Sequence, residues 1–61
     1  MDWKAIARDM AKFLLEREPE KVRGGSRARQ DWLRLVMAFQ LISIENGVEM
    51  EFREVLANGN D

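Results

Sequence analysis

The chain has no cysteine, no histidine, no tyrosine and no threonine, and only one proline. Without cysteine there is no disulfide to staple the fold, and without cysteine or histidine the common zinc sites are excluded. The usual catalytic nucleophiles, bases and proton donors reduce to Ser26, Ser43, lysines and carboxylates. Neither serine lies in a nucleophile-elbow pattern, and Ser26 is better explained as a helix cap. A carboxylate pair needs a cleft to shift one of its pKa values, and so small a domain has little room for one. No enzymatic activity is expected, and the site inventory contains no catalytic residue.

Cofactor motifs are missing as well. Val22-Arg23-Gly24-Gly25-Ser26 places a glycine pair before a helix start. It lacks the spacing of a P-loop or a dinucleotide fingerprint, and no strand precedes it. The carboxylates do not follow the pattern of a calcium loop. Neither cofactor nor metal is therefore expected. The longest apolar stretch, Trp32 to Ile44, is broken by Arg34, Gln40 and Ser43, too short and too polar to span a bilayer. Met1-Asp2-Trp3-Lys4 runs straight into a charged amphipathic pattern with no apolar leader, which makes the cytoplasm the expected location.

What is present is one domain, residues 1–61, at the low end of what folds unaided. A single core of this size rarely supplies more than about 3–5 kcal/mol of net stability. Hydrophobic packing must hold it, helped by self-association.

The spacing predicts a first helix over about 2–18. Trp3, Ile6, Ala7, Met10, Phe13 and Leu14 form one apolar stripe, with Lys4, Arg8 and Lys12 as a basic ridge on the exposed side. Asp2 is placed to cap its start, and Pro19 stops it. Residues 19–25 read as a loop with a Gly24-Gly25 turn, and Ser26 as the N-cap of a second helix over about 26–40. From Trp32 onward that helix is apolar on nearly every side. Such a helix is normally covered on more than one face, either by the C-terminal segment or by another subunit.

Residues 41–56 admit two readings, followed by a tail over 57–61. As a β-hairpin, Ile42 and Ile44 alternate with Ser43 and Glu45, and Val48, Met50 and Phe52 alternate with Glu49, Glu51 and Arg53. Gly47 then takes the left-handed position of a type I turn with a bulge. As a helix, Asn46 and Glu49 resemble a capping box, Val48, Phe52, Val55 and Leu56 share a face, and Asn58-Gly59 ends it. Met50 fits only the hairpin. The expected fold class is thus mainly α with an α+β character, a two-helix hairpin followed by a short C-terminal β-hairpin. The alternative is an all-α three-helix bundle.

Net charge is only −1, but its distribution is uneven. Lys21, Arg23, Arg27 and Arg29 lie within nine residues that hold no acidic group, with Arg34 just beyond. Arginines and free N–H groups at a helix start favour phosphate or carboxylate. With Gln30 they form the candidate anion or nucleic-acid contact. The stretch Ser26 to Val55 resembles the last part of a winged helix-turn-helix domain: a polar basic helix start, Trp32, Leu33 and Leu35 toward the core, and Leu41-Ile42-Ser43-Ile44 leading into a wing. That resemblance implies Arg27, Arg29, Gln30 and Arg34 facing a major groove. Glu45, Glu49, Glu51 and Glu54 are a second candidate surface, an acidic face for docking on a basic protein site.

The apolar surplus of the second helix makes Trp32, Leu33, Val36, Met37 and Phe39 candidates for core or self-association, most simply in a symmetric homodimer. The expected function is a non-enzymatic regulatory or inhibitory protein that binds another protein or assembly, of the kind common among phage and mobile-element inhibitors. The alternatives are a small nucleic-acid-binding regulator using residues 21–29 and a structural oligomerisation subunit. Salt-dependent binding to DNA separates the former from the rest.

Overall fold

Asp2 opens the first helix, α1 (Trp3–Glu16), by accepting a hydrogen bond from the Ala5 N–H at 3.2 Å. The computed structural model describes residues 1–21 and 23–59. Val22 of the expected loop and the last two residues of the expected tail lie outside them. Helix α1 ends three residues before Pro19, with the Arg17 N–H donating to the Leu14 carbonyl at 3.1 Å and the Glu18 N–H to the Leu15 carbonyl at 3.4 Å. Ser26 caps the second helix, α2 (Arg27–Glu45), its hydroxyl accepting from the Arg29 N–H at 3.1 Å. A third helix, α3 (Glu49–Asn58), completes the chain. Both caps anticipated from the sequence are therefore present.

The C-terminal β-hairpin is not. There is no strand among the described residues, and the fold is the three-helix alternative. Helix α2 runs five residues past its expected end and takes in Leu41, Ile42, Ser43 and Ile44. The wing implied by the winged-helix resemblance disappears with the hairpin, because the residues assigned to it are helical.

The physical reason lies at Gly47, which is left-handed at φ 71°. A hairpin bulge and a helix C-terminus both require such a glycine. Here it follows the C-cap Asn46 in a Schellman arrangement. The Val48 N–H donates to the Ser43 carbonyl at 2.8 Å, and the Gly47 N–H to the Ile44 carbonyl at 3.1 Å. Asn46 closes α2 and does not open α3: its side-chain amide donates to the Ile42 carbonyl at 2.8 Å. Helix α3 instead takes Val48 as its N-cap, with no side-chain cap bond. It ends at Gly59, as the helical reading required.

Most of the fully buried core lies between α1 and α3. Ala7, Ala11 and Leu14 of α1 meet Phe52 of α3 and Val48 before it, and all five are buried. The two alanines, one turn apart, are small enough to let the Phe52 ring approach the α1 backbone, so these helices pack most extensively. Helix α2 closes the core with one narrow arc. Trp32, Val36 and Phe39 reach it half-buried, and Ser43 is its one fully buried residue. The Trp32 indole N–H donates to the Leu14 carbonyl at 2.8 Å, and the Phe13 and Phe39 rings meet edge-on at 6.1 Å. The Ser43 hydroxyl donates to the Phe39 carbonyl within its own helix, so its burial leaves nothing unsatisfied.

The molecule measures 38 × 24 × 15 Å with a radius of gyration of 11.8 Å, against roughly 10.5 Å for a globular chain of this length. It is a flat layer. No helix among the described residues is long and apolar enough to cross a membrane.

Candidate functional site

Helix geometry decides which apolar residues of α2 are left outside. At 3.6 residues per turn, Trp32, Val36, Phe39 and Ser43 fall on one arc, the arc that meets the core. Leu33, Met37, Leu41 and Ile44 recur four, four and three residues apart and fall together on another, about 80° wide. These four are 45%, 65%, 58% and 47% exposed. Leu35 and Ile42 form a smaller exposed pair on the opposite flank. The whole chain exposes 4761 Å², where a folded monomer of 7.1 kDa exposes roughly 4,100 Å². The outer face of α2 contributes four large apolar side chains to this exposed surface. A contiguous patch of this kind, on the order of 400 Å², is the size of the largest apolar patch on a typical monomer, which is often a functional surface.

Charged residues border the stripe. Arg27, Arg34 and Glu45 follow one edge of it along the helix, all exposed. None of the three has an ion-pair partner among the described residues; the ion pairs present join Arg17 to Glu16, Arg29 to Glu18 and Arg53 to Glu49.

The structure divides the basic cluster. Arg27, Gln30 and Arg34 line a shallow concavity at the start of α2, with Asp31 among them. Lys21 and Arg23 stand exposed in the loop. Arg29 turns the other way. Its guanidinium donates to the Pro19 carbonyl at 3.1 Å, pairs with Glu18 at 3.4 Å and lies 5.3 Å from the Trp32 ring. It fastens the loop to α2, a role that accounts for a cation at a helix start without invoking a ligand.

The four glutamates are dispersed. In a hairpin Glu49 and Glu51 would share one outward face, but two residues apart on a helix they point nearly opposite ways. Glu51 and Glu54 line an open groove against Arg8, Lys12 and Glu16 of α1. Glu49 pairs with Arg53 one turn on, and Glu45 stands at the end of α2. The self-association candidates divide too: Trp32, Val36 and Phe39 face the core, while Leu33 and Met37 face out.

Leu41 and Ile44 belong to the outer stripe but were not among the sequence-derived candidates. Their spacing from Leu33 and Met37 was there to be read. A helix ending near residue 40 puts them in a strand and breaks that spacing.

Among the described residues no buried side-chain nitrogen or oxygen lacks a hydrogen bond. No group of three or more potential metal-ligating side chains forms there either. No family model, characterised protein or solved structure matches this chain. What the chain does must therefore be read from its own surface, and the outer face of α2 is the feature its fold does not use.

Proposed function

We propose that this is a non-catalytic regulatory or inhibitory protein that works by docking the outer face of α2 on another protein. The observation that carries this reading is the stripe Leu33, Met37, Leu41 and Ile44. Four large apolar side chains stay 45–65% exposed on one helix face, in a molecule with only five buried apolar side chains among its described residues. Hydrophobic contact is the main favourable term in protein association, and helix-in-groove recognition reads anchors at this spacing. Arg27, Arg34 and Glu45 on the border supply orientation and suit a partner of mixed charge. A reducing, cytoplasmic setting fits a chain without cysteine. The nucleic-acid reading has less support, because Arg29 is engaged within the fold and Asp31 sits between Arg27 and Arg34.

The test is photo-crosslinking in the source cell from a reactive group at Met37, with one at Arg8 as the opposite-face control. A discrete heterologous adduct from position 37, absent from position 8 and lost on adding Leu41→Asp, is the expected result. No heterologous adduct at position 37, or the same adducts from both positions, overturns the proposal.

A further inference from the structure

The stripe on α2 has a property that the docking reading does not require. Its spacings of four, four and three residues read almost the same in both directions along the helix. A second α2 laid antiparallel therefore presents the same seam, with Met37 level with Leu41 and Leu33 level with Ile44 of the other copy. The bordering charges separate this arrangement from a parallel one. Arg27 and Arg34 border the N-terminal half of the stripe and Glu45 its C-terminal end. In an antiparallel pair each border faces the same border of the other helix, so Arg34 comes opposite Glu45 and Glu45 opposite Arg34. In a parallel pair each border meets the opposite border, where Leu33 and Gln40 offer no counter-charge.

Resting on the docking role of this face, we infer that its occupant in the free protein is a second copy of the chain. The two α2 helices lie antiparallel about a twofold axis near residues 38 and 39. The pairing is isologous and closed, which limits assembly to a dimer. It covers α2 from Leu33 to Glu45, about 18 Å of helix, and buries on the order of 1,000 Å² in total, at the lower edge of specific interfaces. A weak dimer is what that area supports. Self-pairing keeps the stripe out of water until a target competes for it.

Sedimentation equilibrium on the full chain over about 10–500 µM brackets the affinities an interface of this size reaches. Four variants accompany it: Met37→Asp, Arg34→Glu, Glu45→Arg, and the last two combined. Circular dichroism on each checks that the helices persist. The wild-type chain is expected to pass from monomer to dimer, and Met37→Asp to remain monomeric. Each single charge reversal weakens the dimer about tenfold, since both symmetric pairs turn repulsive, and the double reversal restores it to within about twofold. A wild-type monomer throughout, a dimer indifferent to Met37→Asp, or a double reversal no better than the singles overturns the inference. A monomeric wild type with a heterologous adduct at position 37 removes the second copy and leaves the docking function standing. A monomer without that adduct removes both.

Discussion

Helices α1 and α2 make opposite use of their apolar residues. Helix α1 is the shorter, yet it buries Ala7, Ala11 and Leu14 completely. Helix α2 carries ten apolar residues between Trp32 and Ile44, and its one fully buried residue is Ser43. The difference comes from which residues share an arc. On α1 the apolar positions gather on one side, and small alanines there let Phe52 come close. On α2 they circle the helix, and a layer 15 Å thick has neighbours for only part of that circle. Burial follows from geometry, and counting apolar residues does not give it.

Substitutions on the two helices are therefore expected to behave differently. Phe52→Ala removes the largest fully buried side chain, which packs against α1. A loss of about 3–5 kcal/mol matches the whole net stability of about 3–5 kcal/mol expected at this size. The variant should be unfolded at room temperature by circular dichroism. Ala11→Leu forces extra volume between α1 and α3 and should cost about 1–3 kcal/mol, read as a lowered urea midpoint. Gly47→Ala should cost about 1 kcal/mol in the same measurement. The added methyl would meet nothing within 4 Å, so that cost is conformational and marks the turn, not packing. Met37→Ser, in contrast, should change monomer stability by less than about 0.5 kcal/mol, measured below any association. A loss above 2 kcal/mol there would erase the contrast between the helices.

The sequence was legible where one signal had one meaning. Asp2 and Ser26 mark helix starts, and Pro19 a stop, because each acts through a local rule. The α1 stripe was readable because only one period fits it. Gly47 carried two meanings, since a bulged hairpin and a Schellman cap ask for the same backbone angle. Alternation across Val48, Met50 and Phe52 favoured the strand, while Val48, Phe52, Val55 and Leu56 favoured the helix. Tertiary packing settled it: Val48 and Phe52 are buried against α1 and Met50 is 78% exposed. The same choice hid half of the candidate face, because a helix ended at residue 40 loses Leu41 and Ile44. Leu33 and Met37 are evident from the apolar surplus of α2, but which side they face depends on where α1 and α3 lie.

The hydrogen bond from Trp32 to the Leu14 carbonyl bears on how the molecule opens. Carbonyls in the last turn of a helix have no partner further along it. Leu14 lies in that turn of α1, and the partner filling its second acceptor position comes from 18 residues away. Lifting α2 off therefore unsettles the end of α1, where Leu14 also anchors the packing of α3. Few amides should exchange with solvent by local fraying alone, and the slow-exchanging set in α1 and α2 should share one opening free energy. For a molecule this small, that coupling is expected to make the three helices come apart as a single unit, read as one shared exchange free energy.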